Sequence, residues 1–455
     1  MQKLAENKNK GAEKNSKCQM CVHDTFRVPQ KTSIFRAAIC KTPSAEPVGL
    51  REVGWLAKLN AKPQKFKTKE RVTTMKTMTN LLLLGAWLLL SQQDAVAEPL
   101  FETKDVFIAG IDNVCEYRIP TLVTTGQGTL IAICDARVEK PGDAINNIDL
   151  ALKRSLDNGR TWDRMQVIAD FPGQNAACDA SVLVDDKTDT VWVLYDYIVD
   201  EPAQFVQRPR ETRNVELHLI QSHDDGQSWS PPRTILPTNQ GGTWLALCAA
   251  PGRGIQTRDS QLIFPCYTRR EKYDHSHLLV SGDGGETWQL TSDAGSKANE
   301  CQVVELLDGS FILNMRSLRG HGCRAVARTE DAGKSWLQMV DDSGLPEPMC
   351  QASFIRYTDQ RSGFRKNRLL FSNPANKAQR SNFIIRMSYD EGQTWPVSKV
   401  LNTGPSAYSC LTVLKDGTIG LLYENGVTNP YEKLTFVRFN LEWLTEGRDR
   451  LGQDH

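Results

Sequence analysis

The sequence predicts an all-β fold, a six-bladed β-propeller, from three observations. One turn phrase, S/T-x-D-x-G-x-T/S-W, is written five times, at Ser155 to Trp162, Ser222 to Trp229, Ser281 to Trp288, Thr329 to Trp336 and Ser388 to Trp395. The closing tryptophans stand 67, 59, 48 and 59 residues apart, which leaves room for about four short strands per unit. Between the phrases, strand-like runs such as Gly128 to Cys134 and Thr190 to Tyr195 alternate with turn signals, without a long helical period or a low-complexity linker. Each phrase reads as a β-hairpin tip: Asp bonds its own backbone, Gly supplies a positive φ, and Trp buries the hairpin. Sheets of this kind cannot bury both faces alone, so repetition around an axis is the closed solution.

Taken in order, the chain opens with residues 1–74, rich in Lys and Asn and without apolar period. They read as an over-extended frame ahead of a true start at Met75 or Met78, or else as a disordered leader. Residues 75–97 have the three parts of a secretory signal peptide: Lys76, the apolar run Leu81 to Leu90, and Ala95-Val96-Ala97 as the cleavage site. That run is too short to span a bilayer, so the mature chain is expected to be secreted or periplasmic with no integral membrane segment. Residues 98–446 read as the propeller, its final strand closing the ring beside the first, and 447–455 as a tail. Glu442 to Arg448 reads as a short helical end.

With 40% hydrophobic residues and a formal net charge of +1, the chain can build a large core and has no basic excess to suggest nucleic acid. Nine cysteines follow Ala97; the odd number and strand-like surroundings favour small buried hydrophobes at least as much as bridges. Cys18-Gln-Met-Cys21 with Cys40 lacks a second paired knuckle, and His275-Ser-His277 reads as a solvated hairpin, so nothing asks for a metal or cofactor.

A propeller alone implies no activity. Tyr117-Arg118-Ile119-Pro120 stands at the start of the repeats, and with the turn phrases it resembles the sialidase (neuraminidase) superfamily, whose signatures are the Asp box and the F/Y-R-I-P motif. The likeness covers essentially the whole mature chain and is to bacterial-type exo-α-sialidases. It implies that Arg118, Arg316 of Leu313 to Ser317, and Arg380 of Ala378 to Asn382 grip a substrate carboxylate. Guanidinium forks suit that task.

The resemblance further implies Tyr408, in Ser406-Ala-Tyr408-Ser, as nucleophile and Glu300, in Ala298-Asn-Glu300-Cys, as its base. The chemistry is coherent: a sialoside carries its carboxylate on the anomeric carbon, which repels a charged nucleophile but not a neutral phenol. A free tyrosine with pKa about 10 is a poor nucleophile, so a carboxylate must take its proton as attack proceeds. Asp143, in Lys140-Pro-Gly-Asp143-Ala, is implied as the acid/base, with Glu139 and Asp149 as competitors for the role. Arg137 and Asp179 are implied as sugar contacts, and Glu424, in Leu422-Tyr-Glu424-Asn-Gly, as the carboxylate that holds Arg118.

These residues together imply a retaining exo-α-sialidase that removes terminal sialic acid from sialylated glycans or glycoproteins through a tyrosyl-enzyme intermediate. The competing readings are a transferase of the same fold and a non-catalytic sialic-acid-binding propeller.

Overall fold

A computed structural model describes residues 98–199, 215–237 and 244–452. The expected leader, 1–74, and the signal-like segment, 75–97, lie outside the described residues. Within them, strand pairing forms six antiparallel four-stranded groups. The first joins Glu116–Thr124, Leu130–Arg137, Ile148–Ser155 and Gln166–Ala169. The second joins Ala176–Asp185, Thr190–Ile198, Val215–Ser222 and Arg233–Thr234. Ala246–Ala249, Leu262–Arg269, Asp274–Ser281 and Gln289–Leu290 make the third, and Ala298–Glu305, Phe311–Ser317, Cys323–Thr329 and Val340–Pro346 the fourth.

The long strand Val397–Val413 serves two groups. Its first half completes the fifth, with Ser353–Thr358, Arg368–Pro374 and Ser381–Ser388. Its second half opens the sixth, followed by Ile419–Asn425 and Lys433–Phe439. The sixth is finished by Phe101–Ile108, paired from Phe101 on Phe439, so the first strand closes the ring. Every residue of Leu130–Arg137 is buried, as expected of a strand covered on both faces by neighbouring sheets. A short helix, Leu441–Thr445, follows the strand Lys433–Phe439 and is capped by the Asn440 side chain on Trp443 N.

All five turn phrases join the third strand of a group to the fourth. Six groups carry five phrases because the sixth such junction lies between Phe439 and Phe101, which are distant in sequence. In the first copy Asp157 Oδ1 accepts from Thr161 N at 2.9 Å and Oδ2 from Thr161 Oγ1 at 2.7 Å, while Ser155 Oγ accepts from Gly159 N at 2.9 Å. Positive φ at both Asn158 (60°) and Gly159 (85°) is the type I′ geometry. The tips also fasten neighbouring groups: Gly159 packs on the Phe436 ring and Gly285 on Trp192.

Two predictions follow from these tips. Gly159→Ala combines a left-handed φ with a Cβ that collides with Phe436, and is expected to cost about 2–3 kcal/mol. Gly110→Ala has the same sign of φ (80°) but nothing within 4 Å of the new Cβ; it should cost about 1 kcal/mol, and thermal melts compare the two. The second concerns acid. Hydrogen bonds from Ser228, and from Thr287 and Ser335 in the other copies, hold the Asp224, Asp283 and Asp331 carboxyls down at about 2, below the ordinary 3.8. A depressed folded-state value gives stability that is present above pH 3.8 and lost as pH falls toward 2. Tm should therefore drop across that window, and replacing these aspartates with Asn should flatten the drop.

The His275-Ser-His277 expectation is corrected. It lies within the strand Asp274–Ser281, and His277 is buried between Thr268 Oγ1 and Thr291 O, both at 3.0 Å. Burial pushes its pKa down to about 4, so it is a neutral core histidine. Cys134, Cys178, Cys248, Cys266, Cys301, Cys323, Cys350 and Cys410 are buried free thiols.

Candidate active site

The first strand of each group lines the axis, and four of these strands are interrupted at the positions the sequence singled out. Register shifts fall between Arg118 and Thr121, Cys178 and Ser181, Ala298 and Cys301, and Ser406 and Ser409. At two of them a non-glycine residue takes a left-handed conformation, Ile119 at φ 59° and Asp179 at φ 56°. A bulge re-aims side chains that regular pleating would send into the sheet. Antiparallel pairing then fixes which end of the ring holds the site. Arg137 pairs with Glu116 and Ile148, while Leu130 pairs with Thr124 and Ser155, so the turn phrases lie at the opposite end.

The result is one cavity of about 470 Å³ lined by Arg118, Arg137, Asp143, Asp179, Glu300, Arg316, Arg380 and Tyr408. Glu424 stands behind it, fully buried. Its Oε1 accepts from Arg118 Nε at 2.6 Å and Ile119 N at 2.8 Å, and its Oε2 from Tyr408 N at 3.0 Å. One carboxylate thus fixes the first arginine, the strained bulge beside it and the backbone of the tyrosine.

Tyr408 donates its hydroxyl to Glu300 Oε1 at 2.5 Å, and Arg316 Nη1 bonds both Glu300 Oε2 (2.9 Å) and the phenol oxygen (3.0 Å). Burial and the Glu300 charge push the Tyr408 pKa well up. Burial opposes ionisation of Glu300, yet the Arg316 charge, the bonds from Tyr408 and Arg316, and the Arg380 charge together hold its carboxyl below the ordinary 4.5. The pair therefore rests as neutral phenol and carboxylate, with the phenol proton bonded to a carboxylate able to accept it. This ionisation persists at every pH above the depressed carboxyl value. A pH limb of kcat/KM from Glu300 should accordingly fall below pH 4.5 and vanish in Glu300→Gln.

Of the three candidates for acid/base, only Asp143 lines the cavity. It is largely exposed and accepts from Arg137 Nη2 at 2.8 Å, while Arg137 Nη1 bonds Glu116 at 2.8 Å. Glu139 accepts from Gln174 instead. Asp149 sits in the strand Ile148–Ser155, where burial and the Asp170 carboxyl push its pKa up to about 7.

Sequence reasoning did not single out Asp135, Arg269, Asn299 or Tyr431, which share the cavity. Asp135 Oδ1 accepts from Asp179 N at 3.1 Å, and burial with the Asp179 charge pushes its pKa well up. Asp179 is itself raised, by burial and then by Glu300 and Asp143. Ala144, Ile148, Cys178, Ile198 and Val215 pack together and give the cavity an apolar stretch of wall. The cavity thus combines clustered guanidinium groups with an apolar stretch, beside a hydrogen-bonded phenol and carboxylate.

Fold and mouth together define a repeat-built β-propeller with an arginine-lined axial site. The sequence profile of the BNR repeat-like domain matches residues 127–421. A sialidase of Bacteroides fragilis is 37% identical over 338 residues, covering 70% of this chain and 62% of its own length. One from Micromonospora viridifaciens is 36% identical over 365 residues, covering 76% and 55%. A solved structure, the Hadza microbial sialidase Hz136, superposes with TM-score 0.68 at 37% identity, covering 75% of this chain and 69% of that one. The chain belongs to the BNR-repeat, bacterial-type sialidase family, and spans about three fifths of the length of the two curated relatives.

Proposed function

We propose that the protein is a retaining exo-α-sialidase that hydrolyses terminal sialic acids from glycans through a tyrosyl-enzyme intermediate. The observation that carries this is the 2.5 Å Tyr408–Glu300 hydrogen bond set among Arg118, Arg316 and Arg380. A substrate carboxylate held by the three guanidinium groups brings the adjacent anomeric carbon against the phenol oxygen.

In the first step the Tyr408 oxygen bonds to the anomeric carbon as its proton passes to Glu300. The glycosidic C–O bond breaks, and the departing oxygen takes a proton from Asp143. In the second step Asp143, now a carboxylate, removes a proton from water. The water oxygen attacks the same carbon, and the phenol oxygen leaves with the proton returned by Glu300. Arg316 faces the phenol oxygen throughout and stabilises charge that develops there. Two displacements at one carbon retain its configuration. The apolar wall suits the acyl methyl of a sialic acid, and a cavity of about 470 Å³ suits one terminal sugar. Release to the outside of the cell is part of the proposal and rests on the signal-like residues 75–97; N-terminal sequencing of the mature protein tests it.

The test is release of sialic acid from a sialyl oligosaccharide and from an aryl sialoside, with Asp143→Asn as comparison. A sugar leaving group needs protonation, so the variant should lose about 10²–10⁴-fold on the oligosaccharide. An aryl leaving group departs without it, and the loss there should be far smaller. Equal losses on both substrates would remove Asp143 from the role. Transfer to an added sugar acceptor in place of water would favour the transferase reading, and binding without turnover the lectin reading.

A further inference from the structure

The three arginines are not held alike. Arg118 is paired with Glu424 at 2.6 Å and Arg316 with Glu300 at 2.9 Å. Among the described residues Arg380 has no carboxylate within ion-pair distance. Its Nη1 bonds the Tyr431 hydroxyl at 3.0 Å and its Nη2 reaches Met349 O at 3.4 Å. The same Tyr431 lies with its ring 3.9 Å from the Arg118 guanidinium carbon. One neutral side chain therefore touches two of the three cations, one through its face and one through its hydroxyl.

Tyr431 is itself held by a built turn. Glu432 accepts from Val427 N, Thr428 N, Thr428 Oγ1 and Asn429 N at 2.6–3.1 Å, and Tyr431 N bonds Asn429 Oδ1 at 2.8 Å. The turn is closed to a larger residue at Gly426, where a Cβ would collide with Asn429 O.

We infer that Tyr431 is a positioning residue for carboxylate binding, orienting Arg118 through its ring and Arg380 through its hydroxyl without neutralising either charge. The inference rests on the sialidase reading and specifies how its anion clamp is prepared. A carboxylate in Tyr431's place would fix the guanidinium groups equally well, but would compete with the substrate for Arg380. A neutral phenol fixes geometry and leaves the charge available to the ligand. Pre-orienting a flexible guanidinium lowers the ordering cost at binding, and the aromatic face adds cation–π attraction for Arg118.

The test is calorimetric titration of sialic acid and its methyl ester into the full-length protein, with thermal melts alongside. Wild type should prefer the acid. Tyr431→Phe keeps the ring and loses the Arg380 anchor, so acid affinity should fall about tenfold while ester affinity and Tm hold. Tyr431→Leu removes both contacts and should weaken the acid on the order of 100-fold. Glu432→Ala, which loosens the turn without altering Tyr431, should give a partial loss with the same acid selectivity. In turnover the Phe variant should raise KM more than it lowers kcat. Unchanged acid binding in Tyr431→Phe, or equal losses for acid and ester, overturns the inference while leaving the sialidase reading intact. A wild type that binds the acid no better than the ester overturns the sialidase reading, and this inference with it.

Discussion

Tyr408→Phe is expected to lower kcat/KM for a sialoside by on the order of 10³-fold or more while Tm stays close to wild type. The ring packs with Ile119, Cys350 and Ala407, and phenylalanine preserves that packing. Only the hydroxyl is lost, and with it the atom to which the proposed mechanism assigns the covalent bond. Glu300 keeps its 2.9 Å bond to Arg316, so the change leaves no buried carboxylate without a cation. Loss of activity with an intact fold is what separates a nucleophile from a core tyrosine. If Tyr408→Phe turned over normally, the Tyr408–Glu300 pair would be a structural hydrogen bond and nothing more.

The second large effect distinguishes two arginines that line the same cavity. Arg118→Ala should lower kcat/KM on the order of 10²-fold and also destabilise the fold by about 3–5 kcal/mol, the range for breaking a buried pair. Glu424 is fully buried, and without Arg118 its charge has no cation while two backbone amides still depend on it. Arg380→Ala should cost comparable activity but only about 1 kcal/mol of stability, since it gives up a hydroxyl and a carbonyl contact. In the proposed mechanism both enter the rate through carboxylate binding, so inhibition by free sialic acid should weaken in each. Equal Tm losses for the two variants would contradict the unequal partnering in the structure. Unchanged sialic acid inhibition would contradict the clamp.

Much of this architecture was legible because its signals are local. Each turn phrase encodes its own hairpin through Asp, Gly and a hydroxyl residue within eight positions, and repetition turned five hairpins into a ring. Arg118, Arg316, Arg380 and Tyr408 were legible because short motifs surround them. What escaped depends on relations between distant segments. The left-handed bulge at Ile119, unusual for a β-branched residue, is held by Glu424, more than 300 positions later. Tyr431 reaches the site through a turn whose bonds come from Glu432, and no motif marks it. Two omissions did leave a signal. Asp135 stands two positions before Arg137 in a strand and so shares its face. Arg269 ends the second strand of its group as Arg137 ends that of the first, an equivalence that aligning the copies on their turn phrases exposes only once the loop after Arg137 is allowed six more residues than the loop after Arg269. The His275-Ser-His277 reading failed because polarity was taken for exposure, although Thr268 Oγ1 and Thr291 O satisfy both nitrogens of a buried ring.

The most direct measurement is to trap the intermediate. Incubation with a fluorinated sialic acid bearing a good leaving group, which forms the enzyme adduct faster than water removes it, should add one sialosyl mass to the protein. Peptide mapping should locate that mass on Tyr408, and Tyr408→Phe should remain unlabelled. Labelling of another residue, or turnover of a natural sialoside with inversion at the anomeric carbon, would contradict a tyrosyl-enzyme intermediate.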